Sequence, residues 1–68
     1  MDGENWRTPA ELARAYAPAI YRLAYARTGS RADAEDIMQE VFVRLLRTRP
    51  DFADRAHARA WLLRVAAN

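Results

Sequence analysis

Ser30-Arg31-Ala32-Asp33-Ala34-Glu35-Asp36-Ile37-Met38-Gln39-Glu40-Val41-Phe42-Val43-Arg44-Leu45-Leu46 is the stretch whose spacing decides the fold. Ala34, Ile37, Met38, Val41, Phe42, Leu45 and Leu46 recur every three or four positions, which lines them up as one stripe along an α-helix. On a strand the same residues would be scattered over both faces. Ser30 stands where its hydroxyl can cap the helix, with Asp33 three residues on. Pro50 biases Arg49 away from helical geometry, so the helix is expected to end near Arg47.

An apolar stripe needs partners, and the flanking sequence supplies two. Upstream, Thr8-Pro9-Ala10-Glu11 is a helix start: threonine to cap, proline at the first helical position, and Glu11 where a capping-box carboxylate belongs. Leu12, Tyr16, Ile20, Leu23 and Arg27 then recur at spacings of three and four. Pro18 is expected to interrupt and kink this helix, and Gly29 to end it in a left-handed conformation. Downstream, residues 48–54 read as a loop in which Phe52 plugs the core. A third helix begins at Asp54 or just after it and runs through Ala58, Ala60, Trp61, Leu62 and Val65 to Asn68. The residues before Pro9 read as a disordered lead-in. With no strand signal and no internal repeat, the expected fold is all-α: a single domain over residues 9–68, built as a three-helix bundle kinked at Pro18 in its first helix. No glycine, proline or capping signal closes the third helix, so the domain is expected to be truncated at its C-terminal end, a piece of a longer protein.

Composition narrows the function. A chain of 68 residues buries only about 60% of its unfolded surface, so its core is marginal. Without cysteine, and with one histidine, it lacks the means for a disulfide or a usual zinc site. Helix packing and a partner remain as sources of stability, and self-association is expected of the isolated chain. No metal or cofactor is expected. No apolar run reaches the roughly 20 residues of a membrane span, and the polar start Met1-Asp2-Gly3-Glu4-Asn5 is wrong for a secretory signal. The expected location is the cytoplasm. A net charge of +2 does not by itself indicate nucleic acid. Every basic residue is arginine, which suits phosphate and base contacts, a bias shared by alanine- and arginine-rich proteomes.

Two helix faces could carry function. Asp36, Gln39 and Glu40, at i, i+3 and i+4, share one patch on the polar side of the second helix, with Asp33 and Glu35 nearby. Such a patch is either a solvated acidic face, favoured by the helix dipole, or a protein-docking surface. Acid–base chemistry fits poorly, because an open helix face offers no burial to move a pKa. On the third helix, His57, Trp61, Arg64 and Asn68 fall within a narrow strip. Together they offer stacking, phosphate contact and base-edge hydrogen bonding, whereas Leu62, Val65 and Ala66 face another way. For Trp61 the competing role is core packing, and for His57 that of an ordinary surface residue. A DNA-reading helix-turn-helix is excluded by the acids on the second helix, where a recognition helix would be basic. No nucleophile–base pair or metal cluster supports an enzyme.

These residues match a known pattern. Asp33-Ala34-Glu35-Asp36-Ile37-Met38-Gln39-Glu40-Val41-Phe42 resembles the helix of bacterial sigma factors that docks on core RNA polymerase. Arg59-Ala60-Trp61-Leu62-Leu63-Arg64-Val65-Ala66-Ala67-Asn68 resembles the promoter-melting helix of the extracytoplasmic-function class, and Tyr16-Ala17-Pro18 with Ile20-Tyr21-Arg22-Leu23 is similar to that class's first helix. The likeness covers about residues 9–68 and is that of region two, the core-binding and promoter-melting domain. It implies that the beta-prime coiled coil of polymerase binds Asp36, Gln39 and Glu40, with apolar help from Ile37 or Val41. It also implies that Trp61, Arg64 and Asn68 meet the non-template single strand of the upstream promoter element, Trp61 partly as support for the helix. Family members go on to a loop that recognises a flipped base and to a second domain, neither of which is present after Asn68. The alternative is a stand-alone interaction module, such as a decoy that occupies an anti-sigma factor.

Overall fold

The hydroxyl of Thr8 accepts the backbone N–H of Glu11 at 3.2 Å, and the chain enters its first helix with Pro9 at the leading position, where a missing N–H costs nothing. The computed structural model describes residues 8–68; the expected lead-in, apart from Thr8, lies outside them. It holds three helices, α1 (Pro9–Thr28), α2 (Arg31–Thr48) and α3 (Arg55–Ala67), and no strand among the described residues. α1 continues through Pro18 and is not interrupted there. Pro18 and Arg14, one turn earlier, are both exposed, so the missing backbone bond falls on the wet side of the helix.

The corners are built from local chemistry. Gly29 takes the left-handed conformation, with φ +69°, and its N–H donates to the Tyr25 carbonyl at 2.7 Å. Next to it, the Thr28 hydroxyl accepts the N–H of Ser30 and donates to the Ala24 carbonyl. Ser30 then accepts the N–H of Asp33 at 3.2 Å and starts α2. α2 ends at Thr48, one residue past the expected point, and Arg49 follows at φ +46°, also left-handed. Asp54 caps α3 by accepting the N–H of His57 at 2.8 Å.

Leu12, Ile20, Val41, Leu45, Phe52, Ala58, Leu62 and Ala66 form the core, and Tyr16, Leu23, Ile37, Met38, Phe42, Trp61, Leu63 and Val65 pack against it. No buried polar or charged residue is found among the described residues. α1 is the shared wall: it packs most extensively on α2, next on α3, and α2 meets α3 least. Phe52, 9% exposed, is the expected plug from the α2–α3 loop. Leu46 departs from the expected stripe, with 55% of its surface exposed. It lies at the edge of an open groove whose other side is Pro9, Ala10 and Ala13, residues too small to reach across and cover it.

Arg49 carries the strain of a side chain in a region suited to glycine, which costs about 1–2 kcal/mol. Glycine there would remove that cost while adding roughly 0.5–1 kcal/mol of unfolded-chain entropy. Arg49→Gly is therefore expected to stabilise the chain by about 0.5–1 kcal/mol, read as a rise of several degrees in the thermal midpoint. A midpoint that stays level or falls would contradict this account of the α2 terminus.

Candidate functional site

The outer face of α2 follows from its cap. Ser30 places Asp33 in the first turn, where the partial positive charge of the helix N-terminus favours a carboxylate. Asp36, Gln39 and Glu40 continue along that side, and all three are exposed. The Glu40 carboxylate lies 3.7 Å from the Arg44 guanidinium, a solvent-exposed pair one turn apart that is worth at most a few tenths of a kcal/mol. Ile37 is half-buried and lines a groove of about 390 Å³ together with Glu40 and Arg44. Val41, expected to help at this face, is only 1% exposed. One turn further along the same stripe, it belongs to the core and lies beneath the face.

The strip on α3 divides in two. At its N-terminal half His57 and Trp61 both meet Phe52 edge-on, with ring centroids at 5.3 Å and 5.8 Å. The His57 Nδ1 accepts the backbone N–H of Ala53 at 3.0 Å, so this exposed ring also ties down the loop. Trp61 is half-buried and packs on the core. At the C-terminal half Arg64 and Asn68 are exposed. Residues 55–68 contain three arginines, at positions 55, 59 and 64, and no acid, whereas residues 33–40 of α2 contain four acids and no basic residue. The bundle thus carries two charged faces of opposite sign.

Arg27 was visible in the sequence only as a charge at the end of an apolar register. Its guanidinium donates to the Ala66 carbonyl at 3.0 Å, across 39 positions of sequence, and links the end of α1 to the end of α3. Among the described residues no group of His, Asp and Glu side chains is arranged to hold a metal ion. No helix among them is long and apolar enough to cross a membrane.

The structure is a three-helix module with an acidic face and a basic, aromatic-backed face, and its class is shown by comparison with known proteins. Residues 12–68 match the family described as Sigma-70 region 2, and the chain belongs to that family. Its relatives include "ECF RNA polymerase sigma factor SigE" of Mycolicibacterium smegmatis, 40% identical over 58 residues, which are 85% of this chain and 22% of that protein. "ECF RNA polymerase sigma factor BldN" of Streptomyces coelicolor is 39% identical over 54 residues, 78% of this chain and 20% of that protein. "ECF RNA polymerase sigma factor SigG" of Mycobacterium tuberculosis is 43% identical over 44 residues, 65% of this chain and 12% of that protein. The chain thus spans between 12% and 22% of the length of these curated relatives. No solved structure gives a significant match.

The division of the α3 strip has a measurable signature. Trp61→Ala removes a ring packed on Phe52 and the core, and is expected to cost at least about 2 kcal/mol in chemical denaturation. Arg64→Ala, at an exposed position, should stay within about 0.5 kcal/mol of the parent. Equal costs at the two positions would mean that the strip is not divided in this way.

Proposed function

We propose that this chain binds core RNA polymerase through Asp36, Gln39 and Glu40 on α2, and holds the non-template strand of the upstream promoter element along α3 through Arg64 and Asn68, with Trp61 supporting that face. The observation that carries this reading is the placement of an acidic face and an acid-free arginine face on separate helices of one bundle. The names of the relatives, all sigma factors, support the same partners. The partner surface on polymerase would be the beta-prime coiled coil implied by the motif.

The mechanism is binding, with no covalent step. The Asp36 and Glu40 carboxylates are exposed, and Glu40 is held only by a weak pair with Arg44, so a cation from the partner can replace that guanidinium at little cost. Ile37 beside them offers an apolar contact at the edge of the groove. On α3, arginine tracks phosphate and the Asn68 amide can both donate to and accept from a base edge. Unstacking a duplex costs about a few kcal/mol per step, and contacts made to one strand only offset it. An anti-sigma protein would cover these same faces, and a chain that binds such a protein but not polymerase would favour the decoy reading.

Asp36→Arg and Glu40→Arg are expected to abolish capture of core polymerase with circular dichroism unchanged. A lost charged contact in a desolvated interface costs about 2–5 kcal/mol, against less than about 0.5 kcal/mol for an exposed change in the fold. Polymerase affinity equal to that of the parent would remove the docking role. In parallel, Arg64→Ala with Asn68→Ala should weaken binding of single-stranded DNA by the polymerase-bound chain and make its salt dependence shallower. Unchanged strand binding would leave α3 a structural helix only.

A further inference from the structure

The last turn of a helix leaves carbonyls without helical donors, and how they are satisfied decides how the end is held. At the end of α3 the Asn68 N–H is shared between the Arg64 carbonyl at 3.1 Å and the Val65 carbonyl at 3.3 Å. The next carbonyl, of Ala66, accepts from Arg27 of α1. A guanidinium also suits the partial negative charge of a helix C-terminus. Leu62 anchors the second half of α3 in the core, and in the last turn the buried contact is Ala66, a single methyl that sets the depth of the helix end and does little to fix its direction. A directional hydrogen bond to a backbone carbonyl does fix it. Arg27 also lies two residues before Gly29, at the corner that leads into α2, and shares a groove with Ile37, Glu40 and Asn68.

We propose that Arg27 is a positioning residue: through the Ala66 carbonyl it sets the direction in which α3 presents Arg64 and Asn68 to a DNA strand. This rests on the reading above that the strand lies along α3. Arg27 is not a strand contact in this account: it lines the groove beside Asn68 and acts through the Ala66 backbone. Its effect on helix direction belongs to the α3 face; on the α2 face, Asp36 and Gln39 lie outside the groove that Arg27 shares with Glu40.

The test compares the parent chain with Arg27→Ala, Arg27→Gln and Arg27→Lys in three measurements. Amide hydrogen exchange is followed at residues 65–68 and at Val41 and Leu45. Affinity for core RNA polymerase is measured next. Last is affinity of the polymerase-bound chain for a short fluorescein-labelled single-stranded DNA of mixed sequence. The expected result for Arg27→Ala is faster exchange at residues 65–68 alone, polymerase affinity within about twofold, and strand affinity lower by about tenfold, the scale of one charge-assisted hydrogen bond. Arg27→Lys, which keeps a charged donor, should recover most of the strand affinity, and Arg27→Gln less. Should Arg27→Ala fail to fold, the ordering of lysine above glutamine carries the same comparison. Unchanged strand affinity, or equal loss of strand and polymerase affinity, would overturn the proposal, the latter by showing a general weakening of the fold. A parent chain that binds polymerase but no strand defeats the α3 reading itself and this role with it. Exchange rates that respond only at residues 65–68 would then still show the tie as a structural one.

Discussion

Ile20 of α1 and Leu62 of α3 have no surface left in contact with water, and the burial of such residues against α1 is what the bundle depends on. Ile20 sits on the apolar face of α1, the helix that packs on both of the others, while α2 and α3 meet each other least. In so small a chain, Leu12, Ile20, Leu62 and Val41 are the largest fully buried side chains, so the core has few members and each one matters. The relative placement of the acidic face and the arginine face is therefore transmitted through a third helix that belongs to neither. A change in how α1 seats against either neighbour alters the relation between the two charged faces before it alters either face by itself.

The division of labour on the surface follows from that arrangement. The acids of α2 occupy its N-terminal half, where the helix dipole stabilises them in any case. A structural preference and the proposed docking role coincide there, so composition alone does not separate them. The outer strip of α3 has an N-terminal part that works inward, where His57 and Trp61 hold Phe52 and its loop, and a C-terminal part, Arg64 and Asn68, that is exposed. That exposed part lies nearest the end of the helix, where Arg27 holds the backbone.

Much of this was legible in the sequence, and the reasons differ by element. Thr8, Ser30, Asp54 and Gly29 announced the helix ends because capping is chemistry within three or four residues. The stripe from Ala34 to Leu45 announced α2 because periodicity is local too. Leu46 misled, since its exposure depends on the small size of Ala10 and Ala13 across a groove, which no pattern within α2 contains. Val41 and Ile37 shared one expected role and lie on opposite sides of the waterline, a difference of one helical turn against a neighbour the sequence does not place. Pro50 indicated only that Arg49 leaves the helix, and its left-handed turn could not be read from an arginine. Arg27 stood in an apolar register, yet its partner is a backbone carbonyl far along the chain, and every residue has one of those.

The core contains only carbon-rich side chains, with no buried polar or charged group among the described residues. Fold and recognition consequently answer to different solvent conditions. Dissolved salt screens the arginines and carboxylates on the two faces over a distance of about 10 Å at moderate ionic strength, and it does not weaken apolar burial. Ionic strength thus acts as a control knob on the field of the two charged faces while leaving the bundle folded, and the helical signal should hold level along a salt titration.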